Sequence, residues 1–448
     1  MMPPISARRP SARCQGARSD RFDKRFVMRM LTGLALIVAI PAHAAANTTV
    51  ITGAQVWNGK NFAVRTLAVR DGRFVRVPRD RAATDTLDLT GRYLVPAYAN
   101  AHCHVTSPDR ASNDRFLRDG VFYVWNPNTI VQTAQDKAFF GTPTTYNLKI
   151  AQGGITEPRG HPEPLYTDVL AQFVYQERPK EWFIGNAFHY GRTPAEIVTA
   201  LDRLKSQGAD FVKAYLLHSE DYAIRKTDPQ FEGLRGLNPE NMPFLVAQAR
   251  RRGMKVAVHV ETAADLVTAA RSGAAVAAHL PGYAGAGTAA TKLSADQARI
   301  VAKSGIRLTP TYVLGAGVVD DKASLAEQQA AADATAQRQR ENMVLLKNAR
   351  AAFLMGTDGV GPVFDEAERW VAIGGMTAAE AARIVFATGA WLFPERRIGC
   401  FQPGCEADFL VLSADPTLDI RQLRSIEQRY KAGKVLSLPD LPKDDARC

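Results

Sequence analysis

The sequence predicts an α/β protein in which eight strand–helix units form a (β/α)8 TIM barrel and a small β-sandwich domain is built from both chain ends. Short apolar runs alternate with helical stretches through the middle of the chain, and similar β-rich patterns occupy the two ends. With 448 residues, of which 46% are apolar, the chain is long enough for one large core and a smaller companion domain.

Both ends of the chain consist of short apolar runs separated by turn residues. Ala432-Gly433-Lys434 is the predicted turn of a hairpin near the far end. We therefore predict a small β domain formed by residues 47–92 and 396–440, with the barrel over residues 93–395 between them. The predicted strands of the small domain are residues 48–51, 63–69, 73–77, 408–412 and 428–436.

The barrel is predicted from eight runs of strand length. Helix starts between them carry Ser/Thr-x-x-Glu/Gln capping boxes at Thr193, Ser294 and Thr377, and Asn238-Pro239 marks a further start. In a TIM barrel the functional groups gather at the carboxyl ends of the strands, so the chemistry is expected there. The predicted strands are residues 93–104, 121–126, 145–153, 210–217, 255–261, 274–280, 307–312 and 351–358.

The formal net charge of +11 is unevenly placed. Residues 1–45 hold eight basic and two acidic residues, a surplus of six, so the rest of the chain carries the other five. That remainder has no basic run interleaved with aromatic residues, which argues against a nucleic-acid partner.

The basic surplus precedes an apolar segment that is typical of an export signal. Met28-Arg29-Met30 leads into the apolar run Leu31–Ile40, and Pro41-Ala42-His43-Ala44 ends in small residues. The run is too short for a permanent membrane span, and a buried core strand is the alternative interpretation. We predict a leader over residues 1–44, cleaved near Ala44, and a periplasmic or secreted protein.

Five residues with metal-binding side chains stand at the ends of predicted strands. His102 and His104 are two apart, a spacing that points both imidazoles to one face of a strand. His259, His279 and Asp358 each close a further apolar run. Imidazoles and a carboxylate are ligands that Zn²⁺ prefers, and five of them at one rim outweigh the ordinary structural role of a single buried histidine. The sequence therefore predicts a metal site at the barrel mouth.

Lys213 is an unusual residue for its surroundings. It lies inside the apolar run Phe211–Tyr215, where an ammonium group is costly to bury without a partner. An ion pair with a nearby carboxylate, or a side chain that reaches solvent, would explain it without any functional role.

These segments together resemble the amidohydrolase superfamily, and within it the imidazolonepropionase-like and prolidase-like branch. Tyr93–His104 is similar to the opening strand of that superfamily, and Phe211–Tyr215 to the strand that presents its carboxylated lysine. Val256–His259 and Ala277–His279 resemble the strands of its next two metal histidines, and Gly356–Gly359 is similar to its final aspartate strand.

The resemblance implies a site for two divalent metal ions, of which Zn²⁺ is the expected kind. His102 and His104 would bind the more buried ion, and His259 and His279 would bind the outer ion. Lys213, carboxylated on its Nζ, would bridge the two ions. The modification would turn a buried cation into an anionic oxygen ligand.

Asp358 has two roles in this interpretation. The resemblance implies that it contacts the first metal and acts as general base for a hydroxide that bridges the ions, because two cations lower the pKa of a shared water. It would then pass the proton to the leaving nitrogen. The implied activity is hydrolysis of an amide or peptide bond, of the dipeptidase, carboxypeptidase or N-acyl amino acid amidase type.

The tail of the chain carries the resemblance back into the small β domain. Ile398-Gly399, Pro403-Gly404 and Ala407–Leu412 are similar to the tail of the superfamily, so the likeness runs from about residue 48 to 436. Cys400 and Cys405 replace the Ser and Lys of that tail. A Pro-Gly turn between them favours a disulfide in an exported protein, with two free surface thiols as the alternative.

Residues beyond the metal set are candidates for substrate binding. We predict that Arg159 holds a substrate carboxylate through two parallel hydrogen bonds. The alternative is that its guanidinium is a solvated charge on a loop. His161, Tyr215 and His218 are the other candidates, each with a structural role as the alternative. The expected partner is a small molecule or a short peptide, and the sequence leaves a homo-oligomer open.

Rival functions differ in single residues. A mononuclear deaminase of this superfamily commonly has a Glu three residues after the strand-five histidine, where this chain has Thr262. A protein that binds metal without catalysis would lack a ligand or the general base, and neither is missing. Hydrolysis of a cyclic amide or an ester stays open.

Pro96–Asn100 replaces the usual Pro-Gly-x-x-Asp of the superfamily, which predicts a different arrangement of the side chains behind the first histidine.

Overall fold

The structure is a computed structural model that describes residues 47–80, 84–176, 178–315, 323–359 and 361–439. The predicted leader, with its cleavage point near Ala44, lies outside these residues, as does Cys448. Within the described ranges, no helix combines the length and the apolar character needed to cross a membrane.

Twenty strands lie in the described ranges. In chain order they are β1 (Thr48–Thr52), β2 (Gln55–Trp57), β3 (Phe62–Val64), β4 (Leu67–Arg70), β5 (Arg73–Val75), β6 (Thr84–Asp88), β7 (Tyr93–Pro96), β8 (Tyr98–Asn100), β9 (Val121–Asn126), β10 (Asn147–Ile150), β11 (Gly154–Thr156), β12 (Phe188–Tyr190), β13 (Val212–Tyr215), β14 (Val256–His259), β15 (Val276–Ala278), β16 (Arg307–Thr309), β17 (Ala352–Phe353), β18 (Phe409–Leu412), β19 (Ile426–Lys431) and β20 (Lys434–Val435).

Twelve α-helices accompany these strands in the same ranges. They are α1 (Arg110–Arg118), α2 (Ala134–Ala138), α3 (Ala171–Phe173), α4 (Pro194–Ser206), α5 (Tyr222–Arg225), α6 (Met242–Arg251), α7 (Ala263–Arg271), α8 (Ala295–Ser304), α9 (Tyr312–Gly315), α10 (Leu325–Asn348), α11 (Val363–Ala372) and α12 (Ala378–Leu392). A π-helix spans Leu165–Leu170, and the 3₁₀ helices are Lys180–Phe183, Ser219–Asp221, Pro229–Phe231, Pro239–Asn241, Ala289–Thr291 and Ile420–Arg424.

Both chain ends contribute to one six-stranded sheet, in the order β20-β19-β18-β7-β2-β3. Its central pair joins the ends, because β18 runs antiparallel to β7. A second sheet has the order β5-β4-β1-β6, and its Phe74 ring lies 5.7 Å from that of Phe409 and 5.3 Å from that of Phe401. The predicted hairpin turn at Ala432-Gly433 connects β19 to β20. The boundary between two domains at residue 93 stays a prediction.

The middle of the chain forms two parallel sheets. One has the order β10-β9-β8, and the other has seven strands in the order β12-β11-β13-β14-β15-β16-β17. Each of the eight runs predicted for the barrel contains at least one strand. The prediction of a mixed α/β fold with parallel strands and intervening helices is therefore confirmed.

The predicted closed eight-stranded barrel is where the structure differs. Gln152 and Gly153 have positive φ angles of 59° and 102°, so the third predicted strand, residues 145–153, forms only β10, and a separate strand, β11, begins after the break. β10 pairs with β9, whereas β11 pairs with β13. On its other side β11 pairs with β12, a strand that the sequence did not predict. The described strands therefore pair as two sheets and not as one closed barrel.

Isolated backbone contacts nevertheless link the two sheets. Asp210 N donates to Ile150 O over 2.9 Å, where β13 approaches β10. At the other junction, Cys103 forms a parallel bridge with Asp358. The segments that follow β8 and β17 therefore lie side by side.

The predicted capping residues begin the helices for which they were proposed. Thr193, Ser294 and Thr377 each accept a hydrogen bond from the backbone N–H three residues later, at the starts of α4, α8 and α12. Asn238 caps the 3₁₀ helix Pro239–Asn241 by accepting a hydrogen bond from the backbone N–H of Glu240, two residues later. Side-chain capping of otherwise unpaired N–H groups explains why these helices begin where they do.

Two of the cysteines are linked in the structure. Cys400 and Cys405 form a disulfide with their Cα atoms 5.9 Å apart, across the turn that contains Pro403 and Gly404. Cys103 is the free cysteine of the described ranges, and it is buried. Burial raises the pKa of the Cys103 thiol to about 12.

Glu366 is a fully buried carboxylate that fixes the loop after β16. It accepts hydrogen bonds from the backbone N–H groups of Tyr312 and Val313, at 2.8 and 2.6 Å, and from the indole of Trp370 at 2.6 Å. Because Thr311 precedes these amides, Glu366 also fixes the position of that threonine.

We predict that Glu366→Ala destabilises the protein by about 3 kcal/mol or more, because three buried donors would lose their acceptor. Glu368→Ala, on the same helix, removes only a partly exposed ion pair with Arg424 and should cost under about 1 kcal/mol. Chemical denaturation of both variants measures the difference. Equal stability of Glu366→Ala and the unmodified protein would contradict this role.

Candidate metal centre

The six residues predicted as metal ligands lie at one edge of the parallel sheets. β13 contains Lys213, its neighbour β14 ends at His259, and His279 directly follows β15. Parallel strands present their carboxyl ends at the same edge, so these side chains come together. The segments that follow β8 and β17 supply the other three, which are His102, His104 and Asp358.

His102, His104 and Asp358 form a compact group of ligand atoms. Asp358 Oδ1 lies 2.9 Å from His102 Nε2 and 3.2 Å from His104 Nε2. The two Nε2 atoms are 3.1 Å apart. Asp358 Oδ1 is buried and makes no well-aligned hydrogen bond, although both imidazoles approach it. Three polar atoms therefore converge on one small volume.

The partner of His104 fixes which of its ring nitrogens carries a proton. His104 Nδ1 lies 2.8 Å from Asn128 O, a carbonyl that can only accept, so a neutral His104 presents a lone pair at Nε2. His102 Nε2, His104 Nε2 and Asp358 Oδ1 approach one another in three pairs, and each pair would need a proton to form a hydrogen bond. At most one proton, that of His102, is then available for them. Such an excess of acceptors is what a cation would satisfy.

Burial and nearby charges set the ionisation of this group. Burial, with a further contribution from the charge of Lys213, lowers the pKa of His102 to about 3. Burial by itself would raise the pKa of Asp358, but its contacts with His102 and His104 outweigh burial and hold the pKa well below its usual range. A neutral imidazole and an ionised carboxylate are the forms that bind metals.

The second pair of histidines adjoins this group. The ring of His279 lies 4.7 Å from the rings of both His102 and His259. His279 Nδ1 is 2.6 Å from the hydroxyl of Thr311, which can donate its own proton to Pro310 O at 2.8 Å. Burial holds the pKa values of His259 and His279 well below the usual range, so both imidazoles are neutral.

Lys213 is buried with its amine unpaired. The residue is 1% exposed, and among the described residues its Nζ has no hydrogen-bond partner. The two structural explanations, an ion pair at hydrogen-bonding distance and access to solvent, therefore do not apply to Lys213. Its Nζ lies 5.3 Å from the centre of the Tyr215 ring. Burial lowers the pKa of Lys213 to about 7, against the opposing effect of Asp358.

Two of the residues predicted to bind substrate adjoin the histidines. The His161 ring stacks on that of His259 at 4.8 Å and lies 5.2 Å from that of Tyr215. Burial lowers the pKa of His161 to about 3. His218 lies farther out and lines a pocket beside the site.

Arg159 is engaged elsewhere. Its guanidinium lies 3.0 Å from Asp168, 2.8 Å from Glu232 and 3.9 Å from Glu163. The predicted hold on a substrate carboxylate would have to compete with three carboxylates of the protein itself. In this structure the group instead connects the loops that follow β11 and β13.

Sequence reasoning missed the asparagines that support the histidines. Asn100 Oδ1 accepts from His102 N and Thr357 N, and its amide donates to the Thr357 hydroxyl at 2.9 Å. Asn126 donates to His104 O, and Asn128 supplies the carbonyl beside His104 Nδ1. The replacement of the family's Asp by Asn100 and the Asn-Pro-Asn run at 126–128 were the signals available in the sequence.

Glu261 and Tyr283 are further site residues that the sequence did not single out. Glu261 Oε1 lies 2.9 Å from His259 Nε2 and accepts from the Tyr283 hydroxyl at 3.0 Å. Burial raises the pKa of Glu261. With His218, Thr288 and glycines of the 282–287 segment, they line a pocket of about 230 Å³.

Comparison with known proteins identifies the class to which this arrangement belongs. The amidohydrolase family matches residues 93–437, so the chain belongs to that family. Membership supports a hydrolase that acts on amide bonds and uses metal ions. Among curated proteins, none matches the sequence.

Solved structures share the fold at low sequence identity. The chain is similar to A. niger ochratoxinase, with 19% identity, a TM-score of 0.65 and coverage of 90% of this chain and 99% of that one. It is also similar to a Xaa-Pro dipeptidase with methionine bound in its active site, at 15% identity and a TM-score of 0.66 over 87% and 100% of the chains. It is similar to molinate hydrolase as well, with 17% identity, a TM-score of 0.66 and coverage of 88% of this chain and 95% of that one. At these identities the likeness shows the fold alone.

Proposed function

We propose that this protein is a binuclear metal-dependent hydrolase that cleaves an amide or peptide bond in a small substrate. The observation that carries the proposal is the convergence of Asp358 Oδ1 with two imidazole Nε2 atoms, at 2.9 and 3.2 Å, where protons cannot satisfy all three atoms. His102, His104 and Asp358 would hold one ion. His259 and His279 would hold the other.

Lys213 completes the proposed site as a carbamate. Carbon dioxide would add to the uncharged Nζ, forming a nitrogen–carbon bond and releasing one proton to solvent. The product carries two oxygens where the unmodified chain has a buried amine without a partner. Lys213 is the candidate for the bridge between the two ions because it is buried without a hydrogen-bond partner among the described residues and its charge affects the pKa of both His102 and His259.

Divalent cations at this site would lower the pKa of a water molecule and polarise the scissile carbonyl. Asp358 would accept the proton of the attacking water and deliver it to the leaving nitrogen. Its carboxylate suits this task because it is ionised and its Oδ1 atom is buried beside the His102 imidazole. The His161 ring stacks on that of His259 and lies 5.2 Å from that of Tyr215, so these two side chains would shield His259 from water.

The deaminase alternative is less well supported. Thr262, which stands where the deaminase glutamate would be, uses its side chain to cap α7 and to donate to Glu220 at 2.8 Å. A purely structural metal site is also disfavoured, because a pocket opens beside the histidines. Cyclic amides and esters stay as alternatives, which the choice of substrates would separate.

We predict that the purified protein binds about two divalent ions per chain and that Lys213→Ala loses most of both metal and activity. Lys255→Ala is the matched control, because that lysine lies one strand away with its Nζ over Trp391. Elemental analysis gives the metal content, and a ¹³C carbamate signal from labelled carbon dioxide should vanish only in Lys213→Ala. Full metal occupancy and full activity in Lys213→Ala would refute the bridging role.

The charge of the pocket predicts a substrate preference. Glu261 is its single carboxylate, and no Lys or Arg is among the described lining residues. An amide substrate that places a carboxylate there should have a kcat/KM at least about tenfold below that of a neutral or cationic analogue, because like charges repel in a partly buried site.

The test measures kcat/KM for pairs of dipeptides and N-acyl amino acids in which one member carries a carboxylate and the other is its neutral or cationic analogue. Arg159→Gln is the comparison variant. Because the Arg159 guanidinium is engaged by protein carboxylates, the ratio of the two kcat/KM values should be unchanged in that variant. A preference for anionic substrates that disappears in Arg159→Gln would instead support the predicted carboxylate anchor.

A further inference from the structure

Glu261 and Tyr283 connect the two histidines of the proposed outer metal site. Glu261 Oε1 lies 2.9 Å from His259 Nε2, and the Tyr283 hydroxyl donates to the same oxygen at 3.0 Å. The Tyr283 ring stacks on that of His279, with centroids 4.2 Å apart and an angle of 17° between the planes. One hydrogen-bonded pair therefore contacts both imidazoles.

The contact with Glu261 determines the tautomer of His259. A carboxylate can only accept, so His259 Nε2 carries the proton and its lone pair is at Nδ1. His279 has the opposite arrangement if Nδ1 donates to Thr311, which leaves the lone pair at Nε2. A histidine whose far nitrogen donates to a carboxylate is a stronger and better oriented metal ligand than a free one.

The pair is itself held in place by buried groups. Asp265 is fully buried and accepts from the backbone N–H groups of Glu261 and Thr262, each at 3.0 Å, so it fixes the turn that carries Glu261. Gln339 donates to Tyr283 O at 2.8 Å from α10. Neither Glu261 nor Tyr283 therefore needs to move to hold the histidines.

We infer that Glu261 and Tyr283 form a positioning pair that sets the metal affinity of the outer site, a role that rests on the proposed binuclear function. Glu261 holds His259 in the tautomer that binds metal, and Tyr283 restrains both Glu261 and the ring plane of His279. The pair acts through the histidines and needs no contact with the scissile bond.

The test compares Glu261→Ala, Glu261→Gln and Tyr283→Phe with the control Glu240→Gln, an exposed carboxylate on the 3₁₀ helix Pro239–Asn241. Zn²⁺ per chain and the free Zn²⁺ needed for half occupancy of the second equivalent are measured, together with thermal unfolding. Glu261→Ala should lose about one ion per chain, and its affinity for the second equivalent of Zn²⁺ should fall by about 10- to 100-fold. Glu261→Gln, which keeps an acceptor oxygen, should weaken it less.

Tyr283→Phe keeps the stacked ring and loses only the hydroxyl, so its effect should be smaller than that of Glu261→Ala. Activity of Glu261→Ala should return at high Zn²⁺, which a merely misfolded variant would not show. Unchanged affinity for the second ion in both Glu261 variants would overturn the inference. An unmodified protein that binds fewer than two ions would instead refute the binuclear proposal on which it rests.

Discussion

The rest of the site depends on a local excess of hydrogen-bond acceptors over protons. The neutral imidazole of His102 and the Oδ1 atom of the ionised Asp358 are buried side by side, and the amine of Lys213 is buried without a hydrogen-bond partner among the described residues. Burying such groups costs free energy unless something satisfies them. A pair of cations and a carbamate would satisfy these groups.

Polar groups around the histidines direct their lone pairs toward that volume. The backbone carbonyl of Asn128 faces Nδ1 of His104, the Thr311 hydroxyl faces Nδ1 of His279, and the Glu261 carboxylate faces Nε2 of His259. These partners come from loops at the same sheet edge. Two of them are anchored by buried carboxylates, because Asp265 accepts from Glu261 N and Glu366 accepts from Tyr312 N, next to Thr311. The fold thus fixes ligand orientation from several directions at once.

The sequence predicted the elements that depend on local pattern. Apolar runs that end in His or Asp predicted five of the six proposed ligands, because the carboxyl ends of parallel strands share an edge. Lys213 was predicted from its place inside an apolar run and from the family resemblance. Capping boxes gave the starts of α4, α8 and α12, because the cap is made within four residues. Such features are encoded by neighbours along the chain.

Features that depend on distant partners were not predictable in this way. Arg159 is sequestered by Asp168, Glu163 and Glu232, and Glu232 is remote from it in sequence. The break at Gln152-Gly153, where the parallel strands divide into two sheets, depends on backbone conformation that composition does not reveal. The supporting role of Asn100 appears only once residues 102 and 357 are seen together.

Metal ions held by these side chains would be visible in X-ray diffraction from crystals of the purified protein, recorded on both sides of the zinc absorption edge. We expect two anomalous peaks, one bounded by His102, His104 and Asp358 and the other by His259 and His279, with continuous density from Lys213 between them. Protein crystallised with Zn²⁺ that shows no peak at these six side chains would contradict this expectation.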